Sequence, residues 1–161
     1  MDGDSLPASA QRVQDHLAAR GLVCRVRTFP ESTRTAQEAA DAVGCAVGQI
    51  AKSLVFRDAG NDRPVLVVAS GSNRVDVPKV EAAIGVTLSR AEGKWVKSRV
   101  GFAIGGVPPV AHAEPLLTVL DSDLKNYSTR WAAAGTPFAV FELTPGDLAV
   151  LTDGDWVELA E

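Results

Sequence analysis

With 161 residues, 46% of them hydrophobic and 22% charged, the chain is long enough to bury the core of one domain and too apolar to remain disordered. Its net charge of −4, from 16 basic and 20 acidic side chains, argues against a protein that coats nucleic acid by charge alone but leaves room for a local basic patch. No apolar run approaches the ~20 residues of a membrane helix, and the acidic start Met1-Asp2-Gly3-Asp4-Ser5 lacks the basic flank and apolar stretch of an export signal, so a cytoplasmic protein with no membrane partner is expected.

Residues 1–7 are expected to form a flexible N-terminus and residues 8–161 a single domain. Ala10, Val13 and Leu17 recur at helical spacing and predict a helix over Ala8 to Arg20, closed by Gly21. Leu22 to Phe29 alternates like a half-exposed strand and stops at Pro30. Thr35-Ala36-Gln37-Glu38 has the spacing of a capping box, in which the hydroxyl and the carboxylate satisfy orphan backbone donors of a helix that runs to Gly44. Leu54-Val55-Phe56 and Val65 to Ala69 predict two buried strands joined as a hairpin across Asp58 to Asp62. Pro78 opens a short helix ending at Gly85, and a further helix is predicted over Glu92 to Arg99. Leu116 to Leu120 and Phe138 to Leu143 read as strands, Pro145 to Leu148 as the start of a helix, and Trp156 to Leu159 as a terminal strand. Several strand pairs are linked too briefly for helical crossovers, so the expectation is an α+β (mixed α/β) domain with a mixed, mainly antiparallel sheet.

Cys24 and Cys45 are expected to be free thiols. Neither CxxC nor HExxH occurs, and His16 and His112 lie far apart without neighbouring ligand types, so neither a metal site nor a cofactor is expected. Charge is uneven along the chain: residues 142–161 hold six acids and no base, whereas Arg90, Lys94, Lys97 and Arg99 surround the single Glu92. That basic segment is the candidate docking surface for a phosphate backbone.

Three features point to chemistry. The loop Gly101 to Pro109 carries Gly101, Gly105 and Gly106 for close approach or positive φ, and two prolines that stiffen its exit. Rigid backbone N–H groups in such a loop can stabilise an oxyanion without any catalytic side chain, although a loop that only reverses the chain has the same pattern. Lys52, at the start of an apolar strand, must reach solvent or be paired, because an isolated buried ammonium is costly. Facing a pocket, it would set a positive charge against a phosphate or a carbonyl. Ser32, Thr33 and Thr35 precede a helix N-terminus, which favours anions, though hydroxyls there commonly only cap. Asp121 and Asp123 lie two apart, as a carboxylate pair or as the start of a turn.

The order of these pieces resembles the YbaK/ProX-type aminoacyl-tRNA deacylase family, related to the editing domain inserted in bacterial prolyl-tRNA synthetases. The matching residues are Thr35 to Ala40, Gln49 to Phe56, Gly101 with Gly105-Gly106-Val107-Pro108-Pro109, and Ala134-Gly135 ahead of Phe141-Glu142-Leu143, within a likeness spanning residues 8–159. The resemblance implies a compact domain that hydrolyses the ester between a mischarged amino acid and the tRNA 3′ adenosine. It implies that Lys52 orients the terminal nucleotide or the aminoacyl group, with the backbone of Gly105 and Gly106 beside it. Phe29, Thr33, Thr35, Ile50, Gly101, Val107, Pro108, Pro109, Ala133 and Gly135 would then surround the aminoacyl group, with His112 at the pocket mouth. Some members carry a serine where this chain has Ala133, which leaves the amino acid open; with a pocket walled by Phe29, Ile50 and small residues, a small amino acid such as alanine or serine is the expected substrate. A synthetase or an elongation factor is the partner expected to supply tRNA affinity. A non-catalytic module that binds an aminoacyl or nucleotide end, and a hydrolase of another small activated ester, are the alternatives.

Overall fold

The computed structural model describes residues 6–22, 25–114 and 116–161. Helix α1 (Ala8–Ala19) buries Ala10, Val13 and Leu17, and the chain leaves it through Gly21 at φ 78°. Strand β1 (Val26–Thr28) occupies the end of the predicted strand; Val23 and Cys24 lie outside the described residues, as do residues 1–5 of the expected flexible N-terminus. Helix α2 (Ala36–Val43) starts at the expected capping box: Glu38 N–H donates to Thr35 Oγ1 at 3.1 Å, Thr35 N–H donates to Glu38 Oε1 at 3.1 Å, and Gly44 closes the helix in the left-handed region. Cys45, just beyond, is a free thiol.

The hairpin is longer than its apolar runs suggest, with β2 at Ile50–Asp58 and β3 at Arg63–Ser70. Helix α3 (Val77–Ile84) has Pro78 in its first turn, and β4 (Leu88–Arg90) and α4 (Gly93–Val100) follow. Then come β5 (Leu117–Asp121), β6 (Arg130–Ala133), β7 (Ala139–Leu143), α5 (Pro145–Thr152) and β8 (Asp155–Val157). Strands β4 and β6 carry no strand signal of their own. β4 is three residues long, and β6 is built on alanines of low strand propensity, so pairing with neighbours places both.

Among the described residues the strands form one mixed sheet in the order β1-β7-β6-β2-β3-β5-β8, with β4 also on β2. The ladders β6–β2, β3–β5 and β5–β8 are parallel, and the others are antiparallel. Strand β3 runs through the middle, and Val65 to Ala69 are fully shielded on both faces. Leu66 and Val68 pack with Val13, Leu17, Val96, Val100 and Leu148 from three helices, while Val67 and Ala69 pack with Val80, Val119 and Leu159. A strand covered on both faces is read as a continuous apolar run, which is how Val65 to Ala69 stands in the sequence.

The feature that positions the site is the outer edge of β2. Strand β6 pairs there with Ile50 and Ala51 only, and β4 with Phe56 to Asp58. Between them, among the described residues, no strand neighbours Lys52 to Val55 on that edge. The loop after β6 is held to α1 by a close approach: Gly135 has φ 90°, and a Cβ there would sit 2.6 Å from Ser9 O. Gly135→Ala should therefore lower stability by more than about 1 kcal/mol in urea unfolding, through both the backbone conformation and the overlap.

Candidate functional site

A cavity of about 270 Å³ opens at the break in the sheet. The loop before α2 lines it with Thr33, Arg34 and Thr35, and strand β2 with Ile50, Lys52 and Ser53. The loop after α4 contributes Ile104, Gly105 and Val107, and β6 contributes Trp131 and Ala133. Thus Thr33, Thr35, Ile50, Lys52, Gly105, Val107 and Ala133, distant in sequence, share one wall system.

Lys52 is tethered as its burial demands. Its Nζ donates to Asn73 O at 2.7 Å, and the Asn73 amide donates to the carboxylates of Asp121 and Asp123, each at 2.8 Å. Asp121 is fully buried and also accepts from the backbone N–H of Ser70 and of Asp123, both at 2.9 Å. Burial pulls the Lys52 pKa below the ordinary lysine value, the Asp121 carboxylate pushes it back up, and Arg74 lowers it. The two aspartates are therefore not an exposed acid–base pair: Asp121 caps the short 3₁₀ turn Ser122–Asn126, and both anchor the asparagine that holds the lysine.

The glycine loop divides its roles. Gly101 ends α4 at φ 91°, and its carbonyl accepts from Arg12. Gly105, at φ 97°, faces the cavity with the Arg34 side chain lying across it. Gly106 is a packing glycine, since a Cβ there would sit 2.7 Å from Thr136 Cα, and its N–H is already given to Ala103 O at 3.1 Å. The expectation that Gly106 offers an oxyanion donor is corrected by that bond.

Other expected residues stand away from the cavity lining. Phe29 packs beside the cluster of Ala39, Ile50 and Trp131, with the Arg27 guanidinium 5.3 Å over its ring. Gly135 contacts α1, as described above. Pro109 and His112 line a separate open cleft of about 910 Å³ together with Arg12, Asp15, His16 and Arg20. His112 is thus not at the mouth of the smaller cavity. Its Nε2 lies 2.7 Å from Pro108 O, and because a carbonyl only accepts, Nε2 carries the proton and pins the loop from behind. Burial lowers the His112 pKa, the bond to Pro108 O raises it, and the nearby His16 lowers it again.

In the basic segment, Arg90, Lys94 and Lys97 are exposed. Arg99 is not available: it pairs with Glu114 at 3.1 Å and Asp62 at 3.8 Å and stacks on Trp95 at 5.2 Å. The N-terminus of α4 adjoins the cavity rim, where Ile104 Cδ1 lies 3.8 Å from the position a Cβ on Gly93 would take.

Among the residues at the site that the sequence does not single out are Arg34, Ser53 and Trp131 in the cavity lining and Asn73 behind Lys52. The Ser53 hydroxyl is buried in the cavity wall with no partner among the described residues. Asn73 sits in the Gly71-Ser72-Asn73 turn after β3, a pattern that signals a turn and says nothing of a lysine 21 residues away. Among the described residues no cluster of three or more His, Cys, Asp or Glu could hold a metal, and no helix is long and apolar enough to cross a membrane.

Known proteins resemble this chain. The aminoacyl-tRNA editing domain matches residues 30–151. The uncharacterised protein YwhH of Bacillus subtilis (strain 168) is 30% identical over 154 residues, covering 95% of this chain and 98% of its own. EbsC of Enterococcus faecalis (strain ATCC 700802 / V583), provisionally named a Cys-tRNA(Pro)/Cys-tRNA(Cys) deacylase, is 28% identical over 133 residues, covering 81% of this chain and 80% of its own. A crystal structure provisionally described as a trans-editing enzyme for prolyl-tRNA synthetase is 48% identical and superposes with a TM-score of 0.92 over 98% of this chain and 99% of that one. The chain belongs to the YbaK-type family of aminoacyl-tRNA editing domains.

Proposed function

We propose that this protein is a trans-editing deacylase that hydrolyses the ester between a mischarged small amino acid and the 3′ end of a tRNA. The observation that carries this reading is the convergence of Lys52, Gly105 and Val107 on one cavity of about 270 Å³. That volume lies below the usual range of ligand pockets, so it suits a small aminoacyl group and leaves the nucleotide outside. The walls contributed by Ala132 and Ala133 supply no hydroxyl, and the lining is otherwise mostly small and apolar, with Thr33, Thr35 and Ser53 among its polar residues. Alanine or serine fits that balance.

An aminoacyl ester needs no protein nucleophile. Water adds to the carbonyl carbon, the bond to the ribose oxygen breaks, and the proton shed by water ends on the released hydroxyl. Lys52 holds one donor to Asn73 and keeps two for the oxygen on which negative charge develops. The stiff loop positions the ester against it, which lowers the barrier through orientation. A synthetase or elongation factor would add tRNA affinity beyond what an acidic chain supplies. A second reading, a module that binds the aminoacyl end without cleaving it, draws on the Gly106 N–H being used within its own loop.

Lys52→Ala should lower kcat/KM for amino acid release by at least about 100-fold, as loss of an oxyanion donor does elsewhere, with the urea midpoint close to wild type. Undiminished release by this variant would leave the lysine without a role. Because burial lowers the Lys52 pKa, the Lys52-dependent rate, after subtraction of spontaneous hydrolysis, should fall with rising pH earlier than a solvent-exposed lysine would dictate. The exposed residues of the basic segment give a separate prediction. Replacing Arg90, Lys94 and Lys97 by Gln should raise KM for tRNA substrates, leave kcat unchanged and flatten the log–log salt dependence by about 2 to 3.

A further inference from the structure

Arg34 stands at the cavity mouth, on the loop between β1 and α2, with its side chain exposed. It lies across the glycine loop so closely that a Cβ on Gly105 would sit 2.9 Å from its Cγ and its Nε. Most arginines of this chain are spoken for. Arg57, Arg63 and Arg99 pair with carboxylates, Arg12 and Arg20 donate to carbonyls, and Arg27 stacks on Phe29 and Trp131. The Arg34 guanidinium has no hydrogen bond, ion pair or ring contact with any described residue, and only its backbone N–H is engaged, with Ser32 Oγ. No ion pair joins it to Glu38, whose Oε1 accepts from Thr35 N–H and Ser32 Oγ.

An unpaired planar guanidinium lying over the Gly105 loop at the rim of a small cavity has the geometry for bidentate capture of an oxyanion. On the deacylase reading, which this inference presupposes, the aminoacyl group fills the cavity and the terminal nucleotide lies outside it. The first phosphodiester of the chain is then the anion nearest the rim. We propose that Arg34 grips the phosphate 5′ to the terminal adenosine of the aminoacylated tRNA, and that residue 105 is glycine in part so that the guanidinium can lie over the loop. Arg34 would thereby set the depth to which the ester enters beside Lys52.

The test uses two minimal esters that differ by one group: the aminoacyl-adenosine and the same compound bearing a 5′-phosphate, with the amino acid that wild type releases from tRNA. Wild type should hydrolyse the phosphorylated ester with a kcat/KM about tenfold higher. Arg34→Gln should bring the ratio of the two kcat/KM values close to one by losing more on the phosphorylated ester than on the phosphate-free one, and Arg34→Lys should restore part of that ratio. A phosphate advantage that survives in Arg34→Gln, or an equal loss on both esters, would overturn the proposal. So would a weakened inhibition by the free amino acid in Arg34→Gln, which would make Arg34 a reader of the product carboxylate. Calorimetric binding of the trinucleotide CCA keeps this inference separate from the chemistry. Its log–log salt slope should fall by about 0.7 in Arg34→Gln whether or not the protein cleaves esters. An unchanged slope counts against Arg34, whereas failure of wild type to release any amino acid counts against the deacylase reading.

Discussion

Strand β2 has more edge than its neighbours can pair, and the site follows from that mismatch. Along one edge β3 matches it from Ala51 to Asp58, but on the other β6 takes two residues and β4 takes three. A sheet closed along its whole length would have no opening here. The four residues left between the two partners, Lys52 to Val55, put a lysine and a serine at the edge of a hole whose rim is made by the loops before α2 and after α4. The shortness of β6 matters as much as its presence, because its continuation into Ala134 and Gly135 turns away to meet α1.

The same topology explains how a lysine is tolerated in a strand next to the core. Parallel pairing of β3 with β5 sets Val68 against Leu120, which brings Asp121 to the end of β3, where Ser70 donates to it. Asp121 and Asp123 then hold Asn73, and the Asn73 carbonyl receives the ammonium. The Asp121 carboxylate favours the charged lysine at a distance while the Asn73 carbonyl fixes its direction. Burial and Asp121 act in opposite senses on its proton affinity, and because burial has the larger effect the pKa lies below the ordinary lysine value. The polar network thus does two things at once, closing the ends of β3 and β5 and aiming Lys52.

Local signals made the helices readable. Thr35 with Glu38, and Pro78 with Gly85, are chemical boundaries that work within a few residues, and each stands where the sequence placed it. The apolar run at Val65 to Ala69 likewise announced a strand buried on both faces. What depends on distant partners was less visible. Arg130 to Ala133 is a strand because β7 and β2 flank it, and Leu88 to Arg90 because the end of β2 is free. Lys52 and the glycine loop stood out by residue type, but the division of labour within the loop did not. Gly105 faces the cavity and Gly106 faces Thr136 because of a fold that brings residues 105 and 136 together. His112 and Arg99 looked like ligands for substrate or phosphate, and both are committed elsewhere: one to Pro108, the other to Glu114, Asp62 and Trp95. A charge count cannot tell a free guanidinium from an engaged one.

The central claim is that substrate is held at the break beside β2 and not in the larger cleft between α1 and the segment around His112. Nuclear magnetic resonance of the labelled protein with an amide-linked, non-hydrolysable 3′-aminoacylamino-adenosine separates the two most directly. The account predicts backbone amide shifts at Lys52, Ser53, Leu54, Gly105, Val107 and Ala133, and a shift of the Lys52 Nζ resonance, with Arg12, His16 and Ala113 unmoved. Shifts confined to Arg12, His16 and Ala113 would contradict it and move the site to the other cleft.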